Sequence, residues 1–280
     1  MASSMSGPFG NSGPGPLWTG GPAPGQFYNF PGNASIPSNG AAQKTLSPVV
    51  MGTSVLAFQF NGGVVIAADM LGSYGSLARF RDCPRLFKVN DSTIIGAAGD
   101  YADFQYLTNI IQQHVIDEEC LNDGFGYTPK SLHCWLTRVL YNRRSQFNPL
   151  WNTYIVVGVE DEKPFLGYVD KIGMAYEAPS LACGFGAYMA LPIIRETMEK
   201  KPDMNQEEAL ALIDRCMKLL YYRDARSLNK YQVAVVTKDG VDLRGPIKSQ
   251  PNWEIAHMIK KKNTGVRMNV VPYDQTVNRV

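Results

Sequence analysis

Residues 53–69 read "TSVLAFQFNGGVVIAAD", and this stretch decides the fold class. Two apolar runs flank "NGG", and Asn and Gly accept the positive φ values of the tight turns that join hairpin strands. Both faces of the two runs are apolar, so a sheet that contains them needs cover on both sides. The stretch therefore predicts a hairpin in the middle of a layered fold.

Strand-like and helix-like segments alternate through the rest of the chain. Helical patterns begin near Asp100, Thr128 and Asn205, and another covers about 187–200. The other strand-like runs are "LFKV" (86–89), "TIIGAAG" (93–99), "TYIVVGV" (153–159), "PFLGYVD" (164–170) and "QVAVVTKDGVDL" (232–243). Strands, two helices, strands, two helices and strands predict an α+β fold, a four-layer αββα sandwich with the helices outside.

Polar residues at the starts of these helices predict how they are capped. Asp100, with Asp103 three residues later, can cap the first helix, and Thr128 before Pro129 can cap the second. Asn205 and Glu208 have the spacing of a capping box. We therefore expect three well-defined helix starts.

Composition separates an N-terminal segment from the rest of the 280 residues. Residues 1–40 contain nine Gly and seven Pro, and the first charged residue is Lys44. Such a segment cannot bury a core, so residues 1–44 are predicted to be disordered. The composition changes sharply at "QKTLSPVV", so the folded part is predicted to begin near residue 45.

Charge and cysteine usage exclude several classes of function. The net charge of +2 is too balanced for a nucleic-acid surface, and no apolar run has the roughly 18–20 residues that span a bilayer. Five scattered cysteines without a CxxC motif favour reduced thiols in an intracellular protein. The three histidines lack the spacing of metal ligands, so we predict neither a metal nor a cofactor.

Thr53 raises the question of chemistry, because it follows Gly52 and opens the first strand-like run. A threonine hydroxyl is a weak nucleophile unless a base lies beside it. Cleavage before Thr53 would free an α-amine, whose ordinary pKa of roughly 7.7–8.0 suits it to accept the hydroxyl proton. Spacing alone leaves two interpretations open: a nucleophile held in a precursor, or the first residue of a strand.

Longer motifs carry a resemblance to a known family. The runs "GTSVLAFQFNGGVVIAADMLGSYGS", "GAAGDYADFQYL", "GYVD", "GFGAY" and "YYRDARS" resemble the beta subunits of the 20S proteasome, and the likeness covers nearly all of 45–258. The resemblance implies the N-terminal nucleophile hydrolase fold, which is the same αββα sandwich. "GSYGSLARFRD", "PLWNTYIVVG" and "NWEIAHMI" are similar to the non-catalytic subunits at the seventh position of the beta ring.

The resemblance also implies which residues stand at the family's active-site positions. The active members use an N-terminal Thr, an Asp, a Lys, a Ser in a GSG turn, and a later Asp and Ser. In this chain these positions hold, in that order, Thr53, Asp69, Arg85, Phe185, Asp224 and Ser227.

Two of the six positions depart from the pattern. Arg85 is always charged and cannot take part in proton transfer, although it can pair with Asp69 as a fixed ion pair. Phe185 supplies no hydroxyl, and its ring is expected to fill space near the site. The resemblance therefore implies a vestigial site without catalytic residues.

The resemblance further implies a processing site upstream of Thr53. "TLSPVVMGTS" matches the start of related mature chains in register, which puts a cut between Lys44 and Thr45, made in trans by an active neighbour. Residues 1–44 are then a propeptide. The tail after residue 258 is either solvated or an arm that reaches the opposite ring.

As a whole, the sequence predicts a non-catalytic structural beta subunit of the 20S core. Its expected partners are the other alpha and beta subunits of a 28-subunit, four-ring particle, including neighbours in its own ring and in the opposite beta ring. The resemblance implies a part in ATP- and ubiquitin-dependent protein degradation in cytoplasm and nucleus, without nucleic acid, membrane or cofactor. Two alternatives stay open: an active threonine endopeptidase that uses Thr53, and a free amidohydrolase of the same fold.

Overall fold

The computed structural model describes residues 47–160 and 162–253. The chain divides into two units, residues 1–249 and 250–280, and every described helix and strand lies in the first. In the second unit, residues 250–253 are described and form no regular element. The predicted boundaries at 44–45 and 258–259 lie outside the described residues, so they stay predictions, as do the propeptide and the tail.

The described elements alternate much as the sequence predicts. The strands are β1 (Val50–Gly52), β2 (Val55–Phe60), β3 (Gly63–Asp69), β4 (Gly72–Tyr74), β5 (Leu77–Phe80), β6 (Leu86–Lys88), β7 (Thr93–Asp100), β8 (Asn152–Glu160), β9 (Lys163–Val169), β10 (Ala175–Glu177), β11 (Ser180–Ala182), β12 (Lys230–Thr237) and β13 (Gly240–Lys248). The helices are α1 (Tyr101–Leu121), α2 (Pro129–Ser145), α3 (Gly186–Met189), α4 (Leu191–Lys200) and α5 (Gln206–Arg223).

The strands form two antiparallel sheets. The larger sheet has the order β10-β9-β8-β7-β1-β4-β5, with β6 also paired to β7, and the smaller has the order β11-β2-β3-β12-β13. The predicted hairpin is confirmed: β2 and β3 pair from Phe60 opposite Gly63 to Val55 opposite Ala68. This hairpin lies inside the smaller sheet, which explains why both of its faces are apolar.

Alternate side chains of β2 enter two different cores, because successive strand residues point to opposite faces. Val55 and Ala57 pack between the two sheets against residues such as Ile155, whereas Leu56 and Phe58 pack against the helices α4 and α5. A third core lies between the larger sheet and helices α1 and α2. The four-layer αββα sandwich is therefore confirmed.

Two of the three predicted caps are confirmed. The Thr128 side chain accepts a hydrogen bond from the Ser131 amide at 3.1 Å, and Asn205 and Glu208 form the reciprocal capping box. Asp100 occupies the N-cap position of α1 as predicted, and the amides of Ala102 and Asp103 oppose the rise in the pKa of its carboxyl, but the side chain lacks the geometry of a capping hydrogen bond. Asp103 instead accepts a hydrogen bond from the Trp151 amide at 2.9 Å and ties α1 to the start of β8.

The helix predicted near 187–200 is in fact two helices, α3 and α4, that meet at Ala190. Pro192 lies in the first turn of α4, where the missing N–H of proline is tolerated but a continuous helix would lose a hydrogen bond. The sequence prediction also missed β1, the β4–β5 hairpin and the short strands β10 and β11. No helix among the described residues is both long and apolar enough to cross a bilayer.

Candidate functional site at Thr53

The residues at the six predicted site positions come from separate elements. Thr53 lies between β1 and β2, and Asp69 ends β3. Arg85 precedes β6, Phe185 precedes α3, and Asp224 and Ser227 follow α5. Direct contacts join four of them: Arg85 contacts both Thr53 and Asp69, and Thr53 contacts Asp224.

The guanidinium of Arg85 organises this region, although the side chain is only 2% exposed. Its Nε donates to the Asp69 carbonyl at 3.2 Å, and Nη1 donates to the carbonyls of Thr53 at 3.0 Å and Ala97 at 2.9 Å. Its Nη2 donates to the Ser54 carbonyl at 2.9 Å and to Oδ1 of Asp69. Arginine has five N–H donors, so every donor of this buried cation has an acceptor.

Asp69 is as deeply buried as its partner. Its Oδ1 pairs with Arg85, as the sequence predicts, and its Oδ2 accepts from the Leu228 amide at 3.2 Å. Burial raises the pKa of the Asp69 carboxyl, and the Arg85 guanidinium opposes that shift. The positive charge of Arg85 therefore stabilises the ionised form of Asp69.

Gly52 makes room for the Arg85 side chain. A Cβ atom at position 52 would lie 2.3 Å from Cδ and 2.9 Å from Nε of Arg85. Distances below about 3 Å are too short for carbon atoms in contact, since the optimum is roughly 3.5–4.0 Å. The glycine before Thr53 therefore has a packing role in addition to any role in processing.

Thr53 is held at both its hydroxyl and its carbonyl. The hydroxyl donates to Oδ2 of Asp224 at 2.6 Å, and the Ser54 hydroxyl lies 3.5 Å away. Oδ1 of Asp224 accepts from the Arg226 amide at 2.9 Å. A carboxylate is a weak base for a hydroxyl proton because their pKa values lie far apart. These contacts hold the Thr53 hydroxyl in place.

Ser227 does not reach Thr53. Its hydroxyl donates to the carbonyls of Leu220 at 3.0 Å and Asp224 at 2.9 Å, which closes the last turn of α5. The four C-terminal carbonyls of a helix lack helical partners, so a hydroxyl that bonds them stabilises the helix end. Ser227 thereby positions Asp224, and its place in the site is indirect.

Phe185 lines the same cleft as Thr53, but its ring does not fill the space as predicted. The side chain is 51% exposed and borders a cleft of about 470 Å³. The backbone explains this position: Gly184 adopts φ +60°, and the Gly186 amide donates to the Ser54 hydroxyl at 2.9 Å. The turn is anchored to the site through its backbone, which leaves the ring at the rim.

Strand β1 is the part of the site that sequence reasoning missed. It lies inside the larger sheet, where Met51 is opposite both Ser73 of β4 and Asp100 of β7, and Gly52 is opposite Gly99. The chain therefore reaches Thr53 directly from an internal strand of the larger sheet. The apolar run "PVVM" before Gly52 was the signal that could have revealed it.

Comparison with known proteins identifies the family. The model of the family described as "Proteasome subunit" matches residues 49–236. The chain belongs to the proteasome subunit family. It is 59% identical to proteasome subunit beta type-4 of Xenopus laevis, across 85% of this chain and 96% of the relative. It is 42% identical to proteasome subunit beta type-4 of Drosophila melanogaster, across 88% of this chain and 96% of the relative. It is 37% identical to proteasome subunit beta type-7 of Saccharomyces cerevisiae, across 83% of this chain and 92% of the relative.

This similarity covers nearly all of the described structure. The similarity confirms two predictions: that the chain is a proteasome beta subunit, and that it has the N-terminal nucleophile hydrolase fold. Among the described residues of this proteasome subunit, no group of three or more His, Cys, Asp or Glu could hold a metal ion.

Proposed function

We propose that the chain is a non-catalytic beta subunit of the 20S proteasome core, with a structural part in protein degradation. In this proposal the site around Thr53 holds the two sheets together and does not cut peptides. The observation that carries the proposal is the hydrogen bonding of Arg85, whose five donors all bind fixed acceptors.

Arg85 supports this role because a guanidinium in this position cannot act in proton transfer. An arginine side chain is always charged and has only donors, so it cannot pass a proton to or from a nucleophile. Four of its acceptors are backbone carbonyls: Asp69 at the end of β3, Thr53 and Ser54 just before β2, and Ala97 in β7 of the other sheet. The side chain therefore acts as a buried cross-link between the sheets.

The pairing of β1 on both sides supports the same role. A threonine nucleophile of this kind needs a free α-amine as its base. Here the nitrogen of Thr53 follows Gly52 in β1, a strand with hydrogen-bonded neighbours on both sides. Without cleavage at this bond, the hydroxyl donates to Asp224 and stays protonated.

The setting of the subunit is part of the proposal. The chain takes its place in the seventh position of the beta ring of a 28-subunit, four-ring particle in cytoplasm and nucleus. It contacts alpha and beta neighbours and the opposite beta ring, and the particle degrades proteins in the ATP- and ubiquitin-dependent pathway. An active neighbour cuts the chain between Lys44 and Thr45, and residues 259–280 extend as a tail. Similarity to beta subunits from animals and yeast over most of each chain supports this setting.

The mature N-terminus tests the proposal directly. In chains from assembled particles, mass spectrometry of the N-terminal peptide is expected to find a start at Thr45 and none at Thr53. As a matched test, particles that carry Thr53→Ala should keep the peptidase activity of the wild type. A mature chain that starts at Thr53, or a loss of peptidase activity in the variant, would show that Thr53 is a catalyst.

Restoring the two missing side chains is expected to leave the site inactive. In the double variant Arg85→Lys/Phe185→Ser, a lysine offers three N–H donors to acceptors that now receive five, and Thr53 remains a peptide amide. An epoxyketone probe should therefore not label Thr53, as judged by mass spectrometry of the chain. Labelling in the double variant but not in the wild type would contradict this expectation.

A further inference from the structure

The cleft beside Thr53 has the dimensions of a ligand site. Its volume of about 470 Å³ lies within the roughly 300–1,000 Å³ that is usual for such sites. Its walls come from β1, from the starts of β8 and α3, and from the loops that follow β9 and α5. The cleft is therefore open to a segment of peptide while the strands behind it are fixed.

Two cationic side chains, Lys171 and Arg226, line this cleft. Within residues 47–160 and 162–253, Arg226 and Lys171 take part in no salt bridge. The Nζ of Lys171 lies 3.9 Å from the centre of the Trp151 ring, which holds the ammonium in place through the ring face. The guanidinium of Arg226 offers a planar pair of donors that suits a carboxylate.

The acidic groups nearby are already occupied. Asp170 also lines the cleft, but its Oδ1 accepts from the amides of Ile172 at 3.0 Å and Met174 at 2.9 Å. Asp224 lies behind Thr53, and its two oxygens accept from the Thr53 hydroxyl and the Arg226 amide. The lining of the cleft thus carries two cations against one carboxylate, and that carboxylate is tied into its own turn.

Aromatic rings form much of the remaining wall. Trp151, Tyr168 and Phe185 all line the cleft. Rings of this kind provide apolar contact area for the side chains and backbone of an extended peptide at little cost in conformational entropy. Two cations are too few to hold the series of phosphates that a nucleic acid presents, so the combination favours a short acidic peptide.

We propose that this cleft binds an extended acidic peptide segment, with its carboxylates at Lys171 and Arg226 and its apolar side chains on the three rings. That the bound segment is not cut rests on the proposed non-catalytic function; the preference for acidic peptides rests on the cleft itself. The subunit then gives the particle a site that binds peptides without hydrolysing them.

Fluorescence anisotropy of the full-length chain tests the proposal with two labelled peptides. One is fluorescein-Leu-Glu-Asp-Glu-Leu, and the other has lysine at the three central positions. The acidic peptide is expected to bind more tightly, and Arg226→Gln or Lys171→Gln should each weaken it by roughly tenfold, as for loss of one charge-assisted hydrogen bond. Arg195→Gln and Lys238→Gln remove the same charges from exposed positions outside the cleft and should leave the affinity unchanged.

The possible outcomes separate the two proposals. Equal binding of the acidic and basic peptides, or unchanged binding in both cleft variants, would overturn the acidic site. Tighter binding of a hexathymidine oligonucleotide than of the acidic peptide would overturn the choice of ligand. Mass spectrometry of the bound peptide tests whether the subunit is catalytic. Peptide cleavage that disappears in Thr53→Ala would overturn the non-catalytic role without contradicting the acidic binding site.

Discussion

Replacing Arg85 with methionine is expected to lower the free energy of unfolding of the chain by about 3–5 kcal/mol. Breaking a buried ion pair from one side costs this much because the remaining charge is left without compensation. In this chain the loss also leaves carbonyl acceptors of Thr53, Ser54 and Ala97 without their donors. Urea unfolding of the full-length chain, followed by tryptophan fluorescence, measures the difference.

A matched arginine on the surface provides the control. Arg244 pairs with Asp242 at 2.6 Å, but both side chains are about half exposed. Exposed pairs contribute about 0–1 kcal/mol, so Arg244→Met should change the free energy of unfolding by no more than that. If Arg85→Met costs as little as Arg244→Met, the cross-linking role of Arg85 is wrong.

The Arg85 variant should also show a characteristic pH dependence. Burial raises the pKa of the Asp69 carboxyl above its unfolded value, and removing Arg85 raises it further. Above the unfolded pKa of roughly 3.9, ionisation then favours the unfolded chain, whereas below it both states hold the proton. The loss in free energy of unfolding caused by Arg85→Met is therefore expected to be smaller near about pH 4 than near about pH 7. Adding Asp69→Asn, which removes the buried charge, should recover part of the stability at neutral pH.

Local patterns predicted the layers of the fold well, for physical reasons that particular residues illustrate. The alternation of Val55 and Leu56 into two cores follows from strand geometry, so an apolar run of this kind reports burial on both faces. The capping box of α5 involves residues three apart, and its hydrogen bonds are decided locally. Such signals need no knowledge of distant contacts.

The parts that the sequence did not reveal depend on distant partners. β1 has three residues and is a strand because β4 and β7 lie on either side, far along the chain. The acceptors of Arg85 come from three separate stretches of sequence, so the spacing to Asp69 predicted one hydrogen bond and could not predict the rest. The ring of Phe185 was misplaced because the turn is positioned by its backbone and by the Ser54 hydroxyl.

Gly52→Ala is expected to lower the free energy of unfolding by about 1–3 kcal/mol, the usual range for overpacking a filled interior. The loss is larger if Arg85 is displaced. The added Cβ would lie 2.3 Å from Cδ of a side chain that is held at all five donors and cannot move aside without breaking hydrogen bonds. Gly126→Ala is the control, because a Cβ there meets nothing within 4 Å. Urea unfolding of the two variants compares the costs.

A double-mutant cycle identifies the cause of the Gly52→Ala effect. In an Arg85→Ala background the atoms that clash with the new methyl group are gone, so the further cost of Gly52→Ala should fall to less than half of its value in the wild type. Residues in direct contact show such non-additivity, with interaction energies of about 0.5–3 kcal/mol. If Gly52→Ala costs the same in both backgrounds, the glycine is required for the backbone of β1 alone. The coupling that we expect would instead make Gly52 and Arg85 one packing unit at the junction of β1 and Thr53.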